Sequence, residues 1–153
     1  MKAWNSETAT MINVNFLDHC GIIVPDLESA IQWYEATLNF TLITAQDDIR
    51  DAPDWKIAML RCGQSRLELL EQKSMREKLN WQAPDHLDSS FMGKKHLAFA
   101  VADLDATFEE LVSKGVKILR PIAHFPELHI RFCHFSDPWA NVLEFLDAAP
   151  VSA

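Results

Sequence analysis

Two histidine–glutamate pairs dominate the chemistry that this sequence could do. His19 and Glu68 stand 49 positions apart, and His96 and Glu144 stand 48 apart. Each histidine opens an apolar run. Each glutamate interrupts one, in Leu67-Glu68-Leu69-Leu70 and Leu143-Glu144-Phe145-Leu146. Side chains alternate across a strand, so Glu68 and Glu144 point away from the apolar residues beside them. A carboxylate in such a strand is costly unless its desolvation is offset. An arginine, a water-filled cleft or a metal ion can each do that. Two imidazoles and two carboxylates suit a borderline divalent ion with open positions, and accept Zn, Ni, Co, Fe or Mn. A lone strand histidine is more often a core residue; the repetition of the pair is what points to a metal.

The elements that must position these residues repeat as well. Shifted by 77 positions, HCGIIVPDLESAI (19–31) falls on HLAFAVADLDATF (96–108). Each copy is a strand-length apolar run followed by an aspartate, Asp26 or Asp103, suited to cap a helix because its carboxylate accepts free N–H groups of the first turn. Helical spacing follows at Leu27, Ala30, Ile31, Tyr34 and Leu38, and again at Leu104, Phe108, Leu111 and Val112. Gly115 suits the position just past the second helix. WKIAMLRCGQSRLELLE (55–71) reads as two strands joined at Gly63-Gln64, and HIRFCHFSDPWANVLEFLD (129–147) as two strands joined across Asp137–Asn141.

A strand–helix–strand–strand–strand unit therefore occurs twice, and the fold class is α+β. The reading divides the chain into an N-terminal extension (1–14), a first βαβββ module (15–72), a linker (73–94) and a second module (95–148), together one structural domain. The linker is the longest connection, with a short helix expected at 74–81.

Bulk properties narrow the function classes. The chain has 153 residues, 48% of them hydrophobic and 24% charged, as expected of a globular protein with a real core. Its 22 acidic residues exceed its 14 basic ones, giving a net charge of −8, which disfavours nucleic acid as a partner. No segment reaches the roughly 20 apolar residues of a membrane span, and the first ten residues lack the apolar centre of a secretory signal. The expected location is cytoplasmic. Cys20, Cys62 and Cys133 lie in apolar strand-like runs and read as buried thiols, not as a disulfide framework.

These features resemble the vicinal oxygen chelate superfamily, which includes glyoxalase I, methylmalonyl-CoA epimerase, extradiol dioxygenases and bleomycin- and fosfomycin-resistance proteins. LDHCGIIVPDLESAIQWYEATLNF (17–40), KKHLAFAVADLDATFEELVSKGVKIL (94–119) and FSDPWANVLEF (135–145) carry the resemblance, which covers about residues 16–147. It implies paired βαβββ modules forming a curled mixed sheet around a metal cleft. It also implies one divalent ion (Zn, Ni, Co, Mn or Fe) held by His19, Glu68, His96 and Glu144, and a homodimer. A fourth carboxylate at Glu68 is similar to glyoxalase I or the epimerase, whereas the dioxygenases and fosfomycin enzymes typically use two histidines and one glutamate. The implied chemistry is Lewis-acid stabilisation of an enediolate, with Glu144 or Glu68 as the base. Two departures stand out. Ile23 replaces the arginine with which glyoxalase I helps to bind glutathione, and Ala140 stands where the final turn usually has glycine.

Other residues extend the site. Phe91, Phe125 and Trp139 are assigned to an apolar substrate pocket because loop aromatics often mark a ligand surface. Arg131, Lys94 and Lys95 could hold a carboxylate or phosphate, or be ordinary surface charges. His86, His124, His129 and His134 read as solvated or cleft-rim residues. The expected function is a divalent-metal-dependent, glyoxalase-like lyase or isomerase acting on a small substrate with adjacent oxygens. An epimerase-like racemase and an extradiol dioxygenase are the enzymatic alternatives. A metal-free drug- or metabolite-binding protein is the alternative of another class.

Overall fold

A computed structural model describes residues 16–49, 52–73 and 96–147. The first repeat runs β1 (Cys20–Ile23), α1 (Leu27–Leu38), β2 (Thr41–Ile49), β3 (Ala52–Cys62) and β4 (Ser65–Gln72). The second runs β5 (Leu97–Ala100), α2 (Leu104–Ser113), β6 (Lys117–Phe125), β7 (Ile130–Ser136) and β8 (Val142–Leu146), with a 3-10 turn at Pro126–Leu128. They form two four-stranded sheets, ordered β1-β4-β3-β2 and β5-β8-β7-β6. In each, the first strand lies parallel to the last and the remaining pairings are antiparallel. The repeated unit expected from the sequence is thus present twice.

Both helices begin as their aspartates require. The Asp26 carboxylate accepts from Ser29 N at 2.9 Å, and that of Asp103 from Ala106 N at 3.0 Å. The α1 start has a second acceptor. Leu27 N donates to Glu71 Oε2 at 2.7 Å, and Lys56 Nζ lies 3.6 Å from the same oxygen, so the fully buried Glu71 is both hydrogen-bonded and charge-compensated. Leu27, Ala30, Tyr34 and Leu38 are buried, with Ile31 packed beside them. In α2, Leu104 and Leu111 are buried and Phe108 packs against the core. Val112 differs from the expectation: it is 53% exposed, because the core reaches only one side of this shorter helix. Gly115 adopts φ 71° past the helix end, and Val116 N donates back to Leu111 O, the glycine-ended helix stop.

One apolar core joins residues of both repeats. Phe40 meets Phe99 with ring centroids 5.8 Å apart, and Trp33 on α1 meets Trp139 of the last turn at 6.4 Å. Burying each such large side chain contributes about 1.5–3 kcal/mol. A buried polar bond crosses the same junction: Tyr34 donates to Asp137 Oδ2 at 3.0 Å. The strands that carry Glu68 and Glu144 are thereby fixed against one shared core. Among the described residues, no helix is long and apolar enough to cross a membrane.

Candidate metal centre

Glu144 sits mid-strand in β8 between Leu143 and Phe145, both buried in the core. Alternation turns its carboxylate to the opposite face. There it meets β7, where His134 lies directly across the ladder from it. His134 is flanked by Cys133 and Phe135, both wholly buried on the core side, so its imidazole shares the face of Glu144. His96 reaches the same carboxylate from just ahead of β5, which runs parallel to β8 with Ala98 beside Glu144.

The three side chains converge on one oxygen. Glu144 Oε2 lies 2.7 Å from His134 Nε2 and 3.3 Å from His96 Nε2, and the imidazole centroids are 5.1 Å apart. One donor atom from each falls within 4.8 Å of the others. Two donors bound about 2.1 Å from a shared ion would stand roughly 3–3.5 Å apart, close to these spacings. His134 and Glu144 are each only 7% exposed. Among the described residues, His134 Nδ1 has no hydrogen-bond partner, and Nε2 faces the Glu144 carboxylate. Burial pushes the His134 imidazole below its ordinary basicity, against the pull of the Glu144 carboxylate. A deprotonated imidazole nitrogen is the form that binds a metal, and burial favours it here. The donor set present therefore fits a divalent ion.

The first repeat builds a looser pair. His19 Nε2 lies 3.8 Å from Glu68 Oε2; the glutamate is more exposed than Glu144, while His19 and His96 are equally exposed. On the other side of the ring, His19 Nδ1 donates to Asp18 Oδ1 at 2.7 Å, and Arg66 pairs with the other carboxylate oxygen. The His19 hydrogen bond and the Arg66 charge hold the Asp18 carboxyl below the usual carboxylate range, against a smaller opposing desolvation. A carboxylate on Nδ1 leaves Nε2 with its lone pair, the form a metal ligand needs. Gly21 makes room for the pair: a Cβ there would come 3.1 Å from Glu68 Oε2.

His19 and His96 line a common cavity of about 390 Å³ between β1 and β5, together with Asp18 and Arg66. A larger cavity of about 510 Å³ lies between α1 and α2 and contains none of these donors. The structure thus pairs His19 with Glu68 and His96 with Glu144, but among the described residues only His96, His134 and Glu144 form a tight three-donor group.

The residues expected to line a substrate pocket make the following contacts. Arg131 bonds Asp105 of α2 at 2.6 Å and approaches Asp147, so its charge is engaged on the helical side. Trp139 packs on Trp33, and Phe125 is 44% exposed at the end of β6. Phe91, Lys94, Lys95, His86 and the expected helix at 74–81 lie outside the described residues. His124 and His129 are exposed, as expected. His134 is not a rim residue; β7 buries it beside Glu144. Arg120, also not singled out by the sequence, pairs with His134 across β6 and β7 and stacks 5.9 Å from the Phe132 ring, on the same face.

Residues 16–145 match the family model described as the Glyoxalase/Bleomycin resistance protein/Dioxygenase superfamily. The chain belongs to this superfamily. A 2-epi-5-epi-valiolone epimerase of Actinomyces sp is 32% identical over 146 residues, covering 84% of this chain and 77% of that protein. An uncharacterized protein of Bacillus subtilis (strain 168), YraH, is 26% identical over 123 residues, covering 80% of this chain and 91% of its own. The crystal structure of a glyoxalase family protein from Enterococcus faecalis superposes with a TM-score of 0.68 at 19% identity, over 87% of this chain and 98% of that one. This last likeness concerns the fold. The paired modules inferred from the sequence are those of the superfamily.

Proposed function

We propose that this chain is a divalent-metal-dependent isomerase or lyase of the glyoxalase type, acting on a small substrate with adjacent oxygens. The observation that carries the proposal is the buried Glu144 carboxylate shared by two imidazoles, at 2.7 Å from His134 Nε2 and 3.3 Å from His96 Nε2. His96 and Glu144, with His19 and Glu68 from the first repeat, are the residues proposed to hold the ion. Bound there, a divalent cation supplies Lewis acidity that makes the hydrogen beside a carbonyl more acidic. Glu68 or Glu144 takes that proton as a carboxylate and returns it, so the net change is an isomerisation or epimerisation. The likeness to an epimerase at 32% identity supports the same proton-transfer class. Arg120, exposed and paired across the ladder with His134, is the residue proposed to hold an anionic substrate group.

A second reading has its own support. Two histidines and one glutamate are also the donor set of non-haem iron oxygenases. One experiment separates the two. Chelator-stripped protein is loaded in turn with Ni, Co, Zn, Mn and Fe(II) in deuterated water, with a panel of small hydroxyketones and catechols. The isomerase reading expects deuterium to enter beside the carbonyl, and Glu144→Gln to abolish this. Dioxygen uptake restricted to the Fe(II) form would establish the oxygenase reading instead. Ligand affinity that is indifferent to every metal would support the binding-protein alternative. We also propose a homodimer, supported by the exposed Leu42 and Ile43 on β2. A purely monomeric sedimentation profile at micromolar concentration would remove it.

A further inference from the structure

Each sheet carries a row of side chains across the face on which its glutamate lies. In the first repeat the cross-strand partners run Gly21, Glu68, Met59 and Thr44, from β1 to β2. In the second they run Ala98, Glu144, His134 and Arg120, from β5 to β6. Partners directly across a ladder project from the same side of a sheet, so each row shares the side of its carboxylate. The rows match at their inner ends and differ at their outer ones. Both begin with a residue small enough to leave room for the glutamate; a Cβ on Gly21 would come 3.1 Å from Glu68 Oε2. Beyond the glutamates, the first row has a thioether and a hydroxyl where the second has an imidazole and a guanidinium.

Both outer residues are placed in the same way. β2 and β6 are the last strands of their sheets, and each breaks register beside the residue concerned, between Leu42 and Thr44 and on either side of Arg120. Bulges of this kind re-aim side chains. Pro121 follows Arg120 and suits such an edge position. Arg120 is exposed; its guanidinium carbon lies 5.9 Å from the centroid of the Phe132 ring, which lies 5.2 Å from that of His134. Arg66 and Arg131 are each engaged by aspartates, whereas Arg120 has no carboxylate partner among the described residues. A guanidinium set against a ring keeps its edge N–H groups for a planar anion.

We infer that the site takes its substrate in one direction, with a carboxylate or phosphate on Arg120 and an uncharged end toward Met59 and Thr44. This rests on the metal-dependent reading above and adds the substrate's charge and orientation to it. The spacing sets where the charge sits. Arg120 is two strands from Glu144, roughly 10 Å between backbones. The anionic group therefore belongs several bonds away from the adjacent oxygens and is not one of them. On a chain of net charge −8, a guanidinium without a carboxylate partner at one end of the row also draws an anion in against the overall field. Thr44 puts no charge at the equivalent place of the first repeat. Two like repeats would otherwise admit a small substrate in either of two orientations. The one-sided charge removes one of them, which an enzyme that distinguishes a carbonyl from the hydroxyl beside it requires.

The test is calorimetric titration of the whole chain, stripped of metal and again after loading with Co(II). The probes are three hydroxyketones of similar length: 1-hydroxy-2-pentanone, 5-hydroxy-4-oxopentanoate and 4-hydroxy-3-oxobutyl phosphate. The parent should bind at least one anionic probe about tenfold more tightly than the neutral one, the scale of a charge-assisted hydrogen bond. Which anion is preferred tells carboxylate from phosphate. The preference is read in both forms, because Arg120 lies outside the proposed ligand set. Arg120→Gln should abolish it, and Arg120→Lys should restore part of it. Lys114→Gln removes the same charge from the groove between α1 and α2, where Lys114 pairs with Glu110, and should keep the full preference. Equal affinity of the parent for all three probes, binding of none, or a preference that survives Arg120→Gln would overturn the inference. Its failure is separate from that of the metal-dependent reading. If no metal supports deuterium exchange, that reading falls while an Arg120-dependent anion preference still stands. If exchange proceeds without any preference for charge, the reading stands and the inference falls.

Discussion

Tyr34 of α1 donates its phenol to Asp137, 103 residues later, in the turn between β7 and β8. This bond ties the first repeat's helix to the hairpin that carries His134 and Glu144. Asp137 is otherwise the organiser of its own turn, accepting from Trp139 N, Asn141 N and Asn141 Nδ2. Burial pushes its carboxyl up, while these four donors hold it down. Tyr34→Phe should destabilise the protein by about 1–3 kcal/mol, the usual loss when a buried acceptor loses a partner. Its sign with pH is fixed. The folded state keeps Asp137 protonated to higher pH than the unfolded state does, so its contribution to stability falls as pH rises through the raised value. Removing Tyr34 raises that value further. The Tyr34→Phe deficit, read by urea unfolding, should therefore be larger at pH 7 than at pH 4. An equal deficit at both would show that the phenol does not sense the Asp137 charge.

The repeated frame was legible because its signals are local. A capping aspartate, a helical stripe and a two-strand tail recur at one offset, and the parallel pairings Cys20 with Leu67 and Leu97 with Leu143 follow from it. His134 was harder because, with the start of its strand unfixed, the side it faces was open. His129 is not in the strand at all; it has φ 54° and ends the 3-10 turn. The usable signal was hairpin symmetry. With the turn placed at Asp137–Asn141, folding the hairpin about Trp139 sets Ser136 against Val142, Phe135 against Leu143 and His134 against Glu144. The same folding about Gly63-Gln64 sets Met59 against Glu68. Trp139 and Arg131 pose a different problem. Whether a turn aromatic or a strand cation serves a pocket depends on what packs beside it, here Trp33 and Asp105, and no local pattern encodes that.

Ala140 occupies φ 68°, the left-handed region, in the turn between β7 and β8. A residue with a Cβ is strained there by about 1–2 kcal/mol. Glycine removes the strain but gives back roughly 0.5–1 kcal/mol through its freer unfolded chain. Ala140→Gly should thus stabilise the protein by about 0.5–1 kcal/mol. The Asp137 bonds should survive, since Ala140 contributes only its N–H to Asp137 O. Chemical denaturation checks the sign, and a loss of stability would mean that the turn depends on the alanine methyl.

Arg131 holds the Asp105 carboxyl below the usual carboxylate range, chiefly through their hydrogen bond. Between the folded and unfolded values the native state binds fewer protons, so this contribution is present above the usual range and is lost as pH falls through the depressed value. Arg131→Ala should return the Asp105 titration, followed by carboxyl-carbon NMR, to the ordinary range. Because Arg131 is engaged by Asp105 and Asp147 on the helical side, the same variant should leave metal affinity within about twofold, as substitutions distant from a site usually do. A large loss of metal binding would place Arg131 at the centre after all.

Metal binding should also be visible as stability. An ion that binds only the folded chain, at a free concentration about 100 times its Kd, stabilises it by about 2.7 kcal/mol. For a chain of this length each kcal/mol raises Tm by roughly 2–4 °C. Chelator-stripped protein should therefore gain roughly 5–10 °C on adding the preferred ion, and excess chelator should reverse the gain. Glu144→Ala should show no gain, because it removes the oxygen on which both histidines converge. Its own unliganded Tm decides what Glu144 does in the empty state. If the carboxylate mainly compensates the imidazoles, Glu144→Ala lowers that Tm. If it is a buried charge kept for the ion, the variant melts at or above the stripped parent while losing the metal response, the signature of a ligand retained at a cost to the fold.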